Sequence, residues 1–574
     1  MHLDYFPGGK LGWLALLALM FVVAGIQRFL ARRAARARIG RDWDSDTHVD
    51  RVGRPYAGRE RRDPADPEQD QSYRVDDQTW FDLDLDAVVA RLDYTQTGIG
   101  AQTLYRALRR PALTPELGRR RVALADAISA DPRGRADCQR VLAEFRNRGW
   151  VLPWILWGPR LLPPIPVWAM RVLGVTPLLL GPAAYFNESM ALVVLTIVNL
   201  AANVGLHALT SHRHRTEMSA AAELGEMLSL ATDLRAQTLV RPAFKQHERG
   251  LSRIQRVFGR RGRGLNARLL AARASLVDLT DYPSAFFMIK VTALYAGLGR
   301  IERTRPQLCE LFDTIGEIDL CIGLAKLRHL RGLTPAQLGE RDDVALRGAT
   351  HPLIDECVPN DLDLSAHGLV LTGSNMAGKS TFLRTLGLNA ILAQSLGVGY
   401  FDSYEAPILR VYSSMSIIDD LLAGRSRYRA EAERILALTR AGTGGACLFL
   451  IDEMFAGTNP IERTAAAHAV ARYLSETHIV LLATHDLDLV GSLIADGFAA
   501  AYFSETAYGD DLRFDYQLRI GRAGRPNAIS ILRTLEFPEA ISADAERFAG
   551  VMSRAAPEPD PDPTTNSARL TRGG

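Results

Sequence analysis

LVLTGSNMAGKSTFLRTLGLNA, residues 369–390, sets a glycine-rich turn between an apolar run and an amphipathic helical pattern. Gly373, Gly378, Lys379 and Ser380 satisfy G-x-x-x-x-G-K-[ST], and strand-like GLVLTG before them and helix-like STFLRTLGLNAIL after them supply the context that motif requires. The glycines let backbone N–H groups curl around phosphate oxygens, and the following helix adds its positive N-terminal end. Lys379 is placed to reach the β and γ phosphates of ATP, and the Ser380 hydroxyl to ligate Mg²⁺.

A second stretch belongs with the first. In CLFLIDEMFAGTNP (447–460) four apolar residues, Leu448 to Ile451, read as a buried parallel strand ending in Asp452 and Glu453. Ligands of open α/β sheets sit at the carboxyl ends of strands, so Asp452 is expected in the Mg²⁺ shell and Glu453 beside the attacking water. A further strand, HIVLLATHD, presents His485 at its carboxyl end, where an imidazole could sense the γ-phosphate or bind that water. Catalytic candidates are therefore Glu453, His485 and Lys379, with Ser380 and Asp452 as metal ligands.

At 574 residues the chain exceeds the roughly 250 to 300 at which single cores stop growing, so several domains are expected. Charge is balanced, 68 Lys plus Arg against 65 Asp plus Glu, which excludes a chain-wide field for nucleic acid or an acidic partner. Five scattered cysteines, without a CxxC pair, indicate neither a zinc site nor a disulfide framework.

Residues 11–26, LGWLALLALMFVVAGI, carry no charge and precede Arg28, Arg32, Arg33, Arg36, Arg38 and Arg41. Arginines after the apolar run, rather than before it, indicate a membrane anchor with its basic side cytoplasmic. We assign 1–41 to this anchor and 42–75, polar and rich in Asp, Arg, Pro and Gly, to a disordered linker. Helical periodicity over 76–150 and 213–345 predicts a soluble α-helical layer in two parts. Between them, 151–212 reads as a hydrophobic hairpin. MALVVLTIVNLAANVGLHAL (190–209) is twenty residues without Asp, Glu, Lys or Arg, enough to cross a hydrocarbon core, and the polar NES at 187–189 makes a turn after an apolar stretch with one charge, Arg171. The competing reading is a buried hairpin of a soluble domain, favoured by Asn199, Asn203 and Arg171, which are costly in lipid. The α/β pattern fills 346–550, and 551–574 is a proline-rich disordered tail.

With these residues in hand, the chain resembles the MutS family of DNA mismatch repair ATPases. TGSNMAGKST is similar to that family's nucleotide loop, including Asn375 and Met376, which the general pattern does not demand. IIDDLLAGRSRYRAEAERI (417–435) resembles the segment whose serine reaches across the dimer to the other subunit's nucleotide, with Ser426 in the matching position. DEMFAGTNPIERTAAAHAVARYL and ATHD are similar to the following strand, turn, helix and histidine switch. The resemblance is specific over about 349–535 and extends weakly to 81–134. It implies a multidomain chain: an α-helical lever domain interrupted by the hairpin, then a P-loop α/β ATPase domain of the MutS/ABC type. It also implies ATP held by Gly373, Ser374, Asn375, Met376, Ala377, Gly378, Lys379, Ser380 and Thr381, with Mg²⁺, and a homodimer through the ATPase domains in which Ser426 acts in trans. The N-terminal stretch leaves no room for the family's mismatch-reading domain with its Phe-x-Glu wedge.

The function expected is a membrane-anchored, ATP-hydrolysing, DNA-associated dimer with its ATPase domain cytoplasmic, coupling nucleotide-driven closure to movement of helical levers. DNA contact would run through phosphates, with RVFGRRGRGLNARLLAARA (256–274) the densest basic stretch. The alternative is an ATPase motor or nucleotide-gated scaffold for a membrane transport or signalling protein, without DNA.

Overall fold

The computed structural model describes residues 43–46, 48, 51, 54, 56–58, 73–159, 163, 165–213, 215–258, 285–339, 341–365, 368–373, 377–415, 427–455, 457–508, 511–522 and 537–555. The expected anchor at 11–26, most of the basic stretch 256–274 and nearly all of the tail lie outside these residues. The chain divides into two compact units. The first is Met1–Asp355, Thr385–Ser413 and Gly444–Leu448, and the second Glu356–Arg384, Ser414–Thr443 and Phe449–Gly574.

The first unit is mainly helical. Its principal helices are α1 (Asp77–Asp82), α2 (Leu85–Leu92), α3 (Gly98–Arg109), α4 (Pro115–Ala130), α5 (Pro132–Ala143), α6 (Val167–Phe186), α7 (Met190–Arg213), α8 (Arg215–Arg235), α9 (Glu248–Phe258) and α10 (Ile289–Arg331). At 43 residues α10 runs about 65 Å at 1.5 Å per residue, and it is the axis on which α3–α9 pack. Pro306 lies within it.

One carboxylate fixes α3 against that axis. Asp319, fully buried on α10, accepts hydrogen bonds from the Gln96 N–H (2.8 Å), the Thr97 N–H (2.8 Å) and the Thr97 hydroxyl (2.7 Å), while Thr97 Oγ1 caps α3 by accepting from Gly100 N–H (3.0 Å). The close approach depends on glycine at two points. A Cβ on Gly100 would strike the Asp319 carboxylate, and one on Gly316 would strike the Thr103 hydroxyl. Burial raises the Asp319 pKa to about 6 although these hydrogen bonds oppose the rise.

Part of the stretch expected to be a disordered linker joins the same network. Buried Arg51 donates to Thr97 O (3.0 Å) and Thr95 O (2.6 Å) and pairs with buried Asp93 (3.2 Å), which also accepts from the Tyr56 hydroxyl (3.0 Å). Trp43 is buried too, under the Arg135 guanidinium at 3.7 Å. Single anchor residues in a polar segment leave no periodicity to read, and their partners are supplied from elsewhere in the unit.

Helices α6 and α7 form a two-helix hairpin joined at Asn187–Ser189. Pro177 has no N–H to give the Leu173 carbonyl four residues back. Asn203 of α7 supplies the missing donor, bonding Leu173 O (2.9 Å) and Phe286 O (2.8 Å) through Nδ2. The asparagine that argued against lipid is fully buried, with its Nδ2 engaged. The base of the hairpin packs on α10 through Met170, Met288, Val291 and Tyr295, with Leu206 and Leu298 beside them.

The second unit is α/β. Its strands include β1 (Gly368–Thr372), β2 (from Cys447 to Asp452), β3 (Ile479–Ala483), β4 (Ala499–Tyr508) and β5 (Asp511–Ile520), ordered β5-β4-β1-β3-β2. β3 and β4 run parallel to β1, and β5 is antiparallel to β4, so the sheet is mixed. Every residue of β1 and β3 is buried, as expected of strands covered on both faces.

Replacing Asp319 with Ala strands the buried Thr97 N–H and the part-buried Gln96 N–H and should cost about 2–4 kcal/mol of stability in urea denaturation. Because the folded-state pKa lies above the ordinary value of 3.8, the folded protein binds the extra proton. The contribution of Asp319 is full below about pH 4 and fades as pH rises through about 6, a slope that should vanish in the variant.

Candidate nucleotide site

Strand order brings the chemistry together. β1 lies between β4 and β3, with β2 outside β3, so the segments leaving the carboxyl ends of β1, β2 and β3 emerge side by side. The turn after β1 begins at Gly373, whose φ of +132° is a glycine conformation and whose missing side chain leaves room for Phe503 O, 2.7 Å from where a Cβ would stand. Gly378 follows with φ +107°. Lys379, Ser380 and Thr381 then form the first turn of α11 (Lys379–Leu396), and the Phe382 N–H closes it on Gly378 O (2.9 Å).

Lys379 is buried and donates from Nζ to Gly373 O (2.6 Å), curling the ammonium back over the turn. Ala377 is buried as well. The Ser380 hydroxyl donates to Asp452 Oδ2, joining the turn after β1 to the end of β2. Two hard oxygen donors in contact, beside a lysine and two positive-φ glycines, match the donor set of a Mg²⁺–triphosphate site. Ser374, Asn375, Met376 and Ser426 lie outside the described residues.

Glu453 adopts φ +63°, a costly conformation for a residue with a side chain. Its N–H donates to Ala483 O (2.9 Å) at the end of β3, and its carboxylate accepts from the His485 N–H (3.1 Å) and meets His485 Nδ1. With Nδ1 protonated the imidazole donates to Glu453 and leaves Nε2 outward. The histidine side chain is 60% exposed and Glu453 26%, so the pair lines an open face rather than a core. Asp486 holds the histidine loop by capping α12 (Leu487–Ala495), accepting from Asp488 N–H (3.1 Å) and Leu489 N–H (3.2 Å). Burial raises its pKa, but hydrogen bonds from Thr464 and Leu489, with Arg463 nearby, outweigh it and hold the carboxyl below the ordinary value.

Residues 369–553 match the family model for MutS domain V. Over these residues the chain is similar to MutS domain V. The DNA mismatch repair protein MutS of Thermus aquaticus is 30% identical over 262 residues, covering 44% of this chain and 31% of that protein. MutS of Sorangium cellulosum is 30% identical over 315 residues (52% and 34%), and MutS of Thermus thermophilus 31% over 264 residues (44% and 32%). The chain spans about a third of the length of these relatives.

One residue beside the glycine turn carried no signal in the sequence. Tyr516, on β5, has φ +52° and a half-exposed ring, with Cδ1 3.4 Å from where a Gly378 side chain would stand. Asn360 pins this backbone, donating to Tyr516 O (3.0 Å) and accepting from the Leu518 N–H (2.6 Å). In DLRFDYQLRI the tyrosine is one of two aromatics on a hairpin strand, and only the β5-β4-β1 order sets it beside the glycine turn.

Changing Gly373 to Ala forces a side chain into the Phe503 carbonyl at a φ unsuited to it, a strain of about 1–3 kcal/mol. Binding of a fluorescent ATP analogue should weaken roughly 10- to 100-fold, read by anisotropy.

Proposed function

We propose that this protein binds and hydrolyses Mg²⁺-ATP at the MutS-type domain, dimerises through it, and uses that cycle to move the helical unit at a membrane. The observation that carries the reading is the meeting of Lys379, Ser380–Asp452 and Glu453–His485 at the carboxyl ends of three neighbouring strands. Ser380 and Asp452 would hold Mg²⁺, which supplies Lewis-acid charge between phosphate oxygens. Lys379 would release Gly373 O to neutralise phosphate charge, and the turn after β1 would donate its N–H groups. Glu453 would take the proton of the attacking water, with His485 fixing the carboxylate's orientation. The Tyr516 ring, flat and half-exposed beside the turn, would cover the adenine by stacking. Ser426 of one subunit would complete the site of the other, so that ATP favours the closed dimer.

The hairpin supports membrane attachment. Both helices are long and apolar enough to cross a bilayer, and only 22% and 6% of their apolar windows are buried. A core hairpin would be mostly covered, whereas Leu179, Val194, Ile197 and Leu209 stand more than half exposed. Trp168 at one end of α6 and Tyr185 and Phe186 at the other are separated by about 26 Å of helix, close to a hydrocarbon thickness, as an aromatic belt requires. Arg171, one turn in from Trp168, can carry its charge to the interface.

The relatives are named as DNA mismatch repair proteins. For this chain DNA is proposed as a phosphate-contacted ligand of the helical unit. Turnover stimulated by duplex DNA supports it, and turnover indifferent to DNA favours a membrane protein as the cargo of the same motor.

ATP turnover of the full chain in detergent should fall at least about 100-fold in Lys379→Ala and in Glu453→Gln, the second keeping nucleotide binding. Unchanged turnover in both would remove the assignment. Tyr516→Ala should raise KM about tenfold, the loss of one stacking contact of 1–3 kcal/mol, with kcat little changed.

A further inference from the structure

We propose that the cationic face of α9, with Arg300 and Arg303 of α10, is a contact surface for acidic phospholipid headgroups beside the hairpin. This rests on the membrane reading of α6 and α7. In α9 the buried Leu251 and Ile254 lie on one side, and Arg249, Arg253 and Arg256, spaced four and three residues apart, are exposed on the opposite side. Arg241 and Lys245 extend the exposed charge ahead of the helix. Among the described residues none of these five cations has a carboxylate within ion-pair distance, although the unit is rich in such pairs elsewhere: Glu248 is held by Arg235, and Glu310 by His247.

The position of the face selects its partner. His247 meets Glu310 at 3.2 Å and Gly250 lies against Gln307, so α9 runs antiparallel to α10, toward the hairpin. The same register sets Arg256 beside Ile301, one turn from Leu298, which packs at the hairpin base. From Gln307 to Leu298 is only about 14 Å of helix, and exposed Arg300 and Arg303 fall within it. Unpaired cations at this distance from a lipid-facing apolar surface sit within about a Debye length of the headgroup plane. There each basic side chain gains from an acidic leaflet. A nucleic acid on the same face would have to share that interval with the bilayer surface.

The test uses the full chain reconstituted in vesicles of phosphatidylcholine alone or with about one third phosphatidylglycerol. An environment-sensitive dye goes on Ser252→Cys, exposed among the arginines, and in a separate sample on Val194→Cys, exposed on α7. Nitroxide lipids labelled at the headgroup should quench the Ser252 dye more strongly in the acidic vesicles. The excess should disappear in R249Q/R253Q/R256Q and at about 0.5 M salt. Chain-labelled nitroxide lipids should quench the Val194 dye equally in both vesicles and in the triple variant. A quenched Val194 dye with an indifferent Ser252 dye overturns the headgroup contact and leaves the hairpin in the bilayer. An unquenched Val194 dye overturns the membrane reading, whatever the Ser252 dye does. A Ser252 dye that answers to duplex DNA through the same arginines, and not to acidic lipid, makes the face a nucleic-acid surface and sinks the proposal.

Discussion

The hydrogen bond from the Ser380 hydroxyl to the Asp452 carboxylate joins residues far apart in the chain, and the chemistry of the second unit depends on it. It exists because β1 and β2 lie on either side of β3, with their carboxyl ends at one edge of the sheet. The same edge receives Glu453 and His485, each fixed by backbone bonds to the end of β3 or to one another. Glu453 holds a left-handed backbone there, and strain of this kind persists only where surroundings over-determine it. The site is therefore a property of strand order first and of side-chain identity second.

The helical unit depends on a comparable junction. Asp319 of α10 gathers two N–H groups and a hydroxyl from the turn before α3, and glycines on both helices permit the approach. Arg51 and Asp93 extend the network. Buried charge of this sort is weak evidence for stability, but the Asp319 carboxylate is held by three donors, which favours one packing over alternatives. At the other end of α10, Asn203 repairs the carbonyl freed by Pro177 and ties the hairpin base to Phe286. A single 43-residue helix thus carries the hairpin contact near its start and the α3 contact near Asp319.

Much of the candidate site was legible because its parts are local. A glycine turn between a strand pattern and a helix pattern, an apolar strand ending in Asp-Glu, and a second ending in His each announce themselves over ten or so residues. Tyr516 did not, since its relevance comes from lying two strands away from the glycine turn. Arg51 and Trp43 did not, because a polar segment with two anchors has the composition of a linker until their partners are known. Asn203 reads differently once its partners are known. As an isolated amide it argued against lipid, whereas in the fold its Nδ2 is engaged by Leu173 O and Phe286 O.

By itself the sequence determined the residue types of a phosphate-binding turn, the kind of strand and helix flanking it, and two apolar stretches long enough for a bilayer, since each follows from composition and period. The tertiary structure decided which strands are neighbours, which side of the hairpin is covered, and which cations on α9 go without carboxylates among the described residues. Those outcomes are set by contacts between residues tens to hundreds of positions apart, and local periodicity carries no information about them.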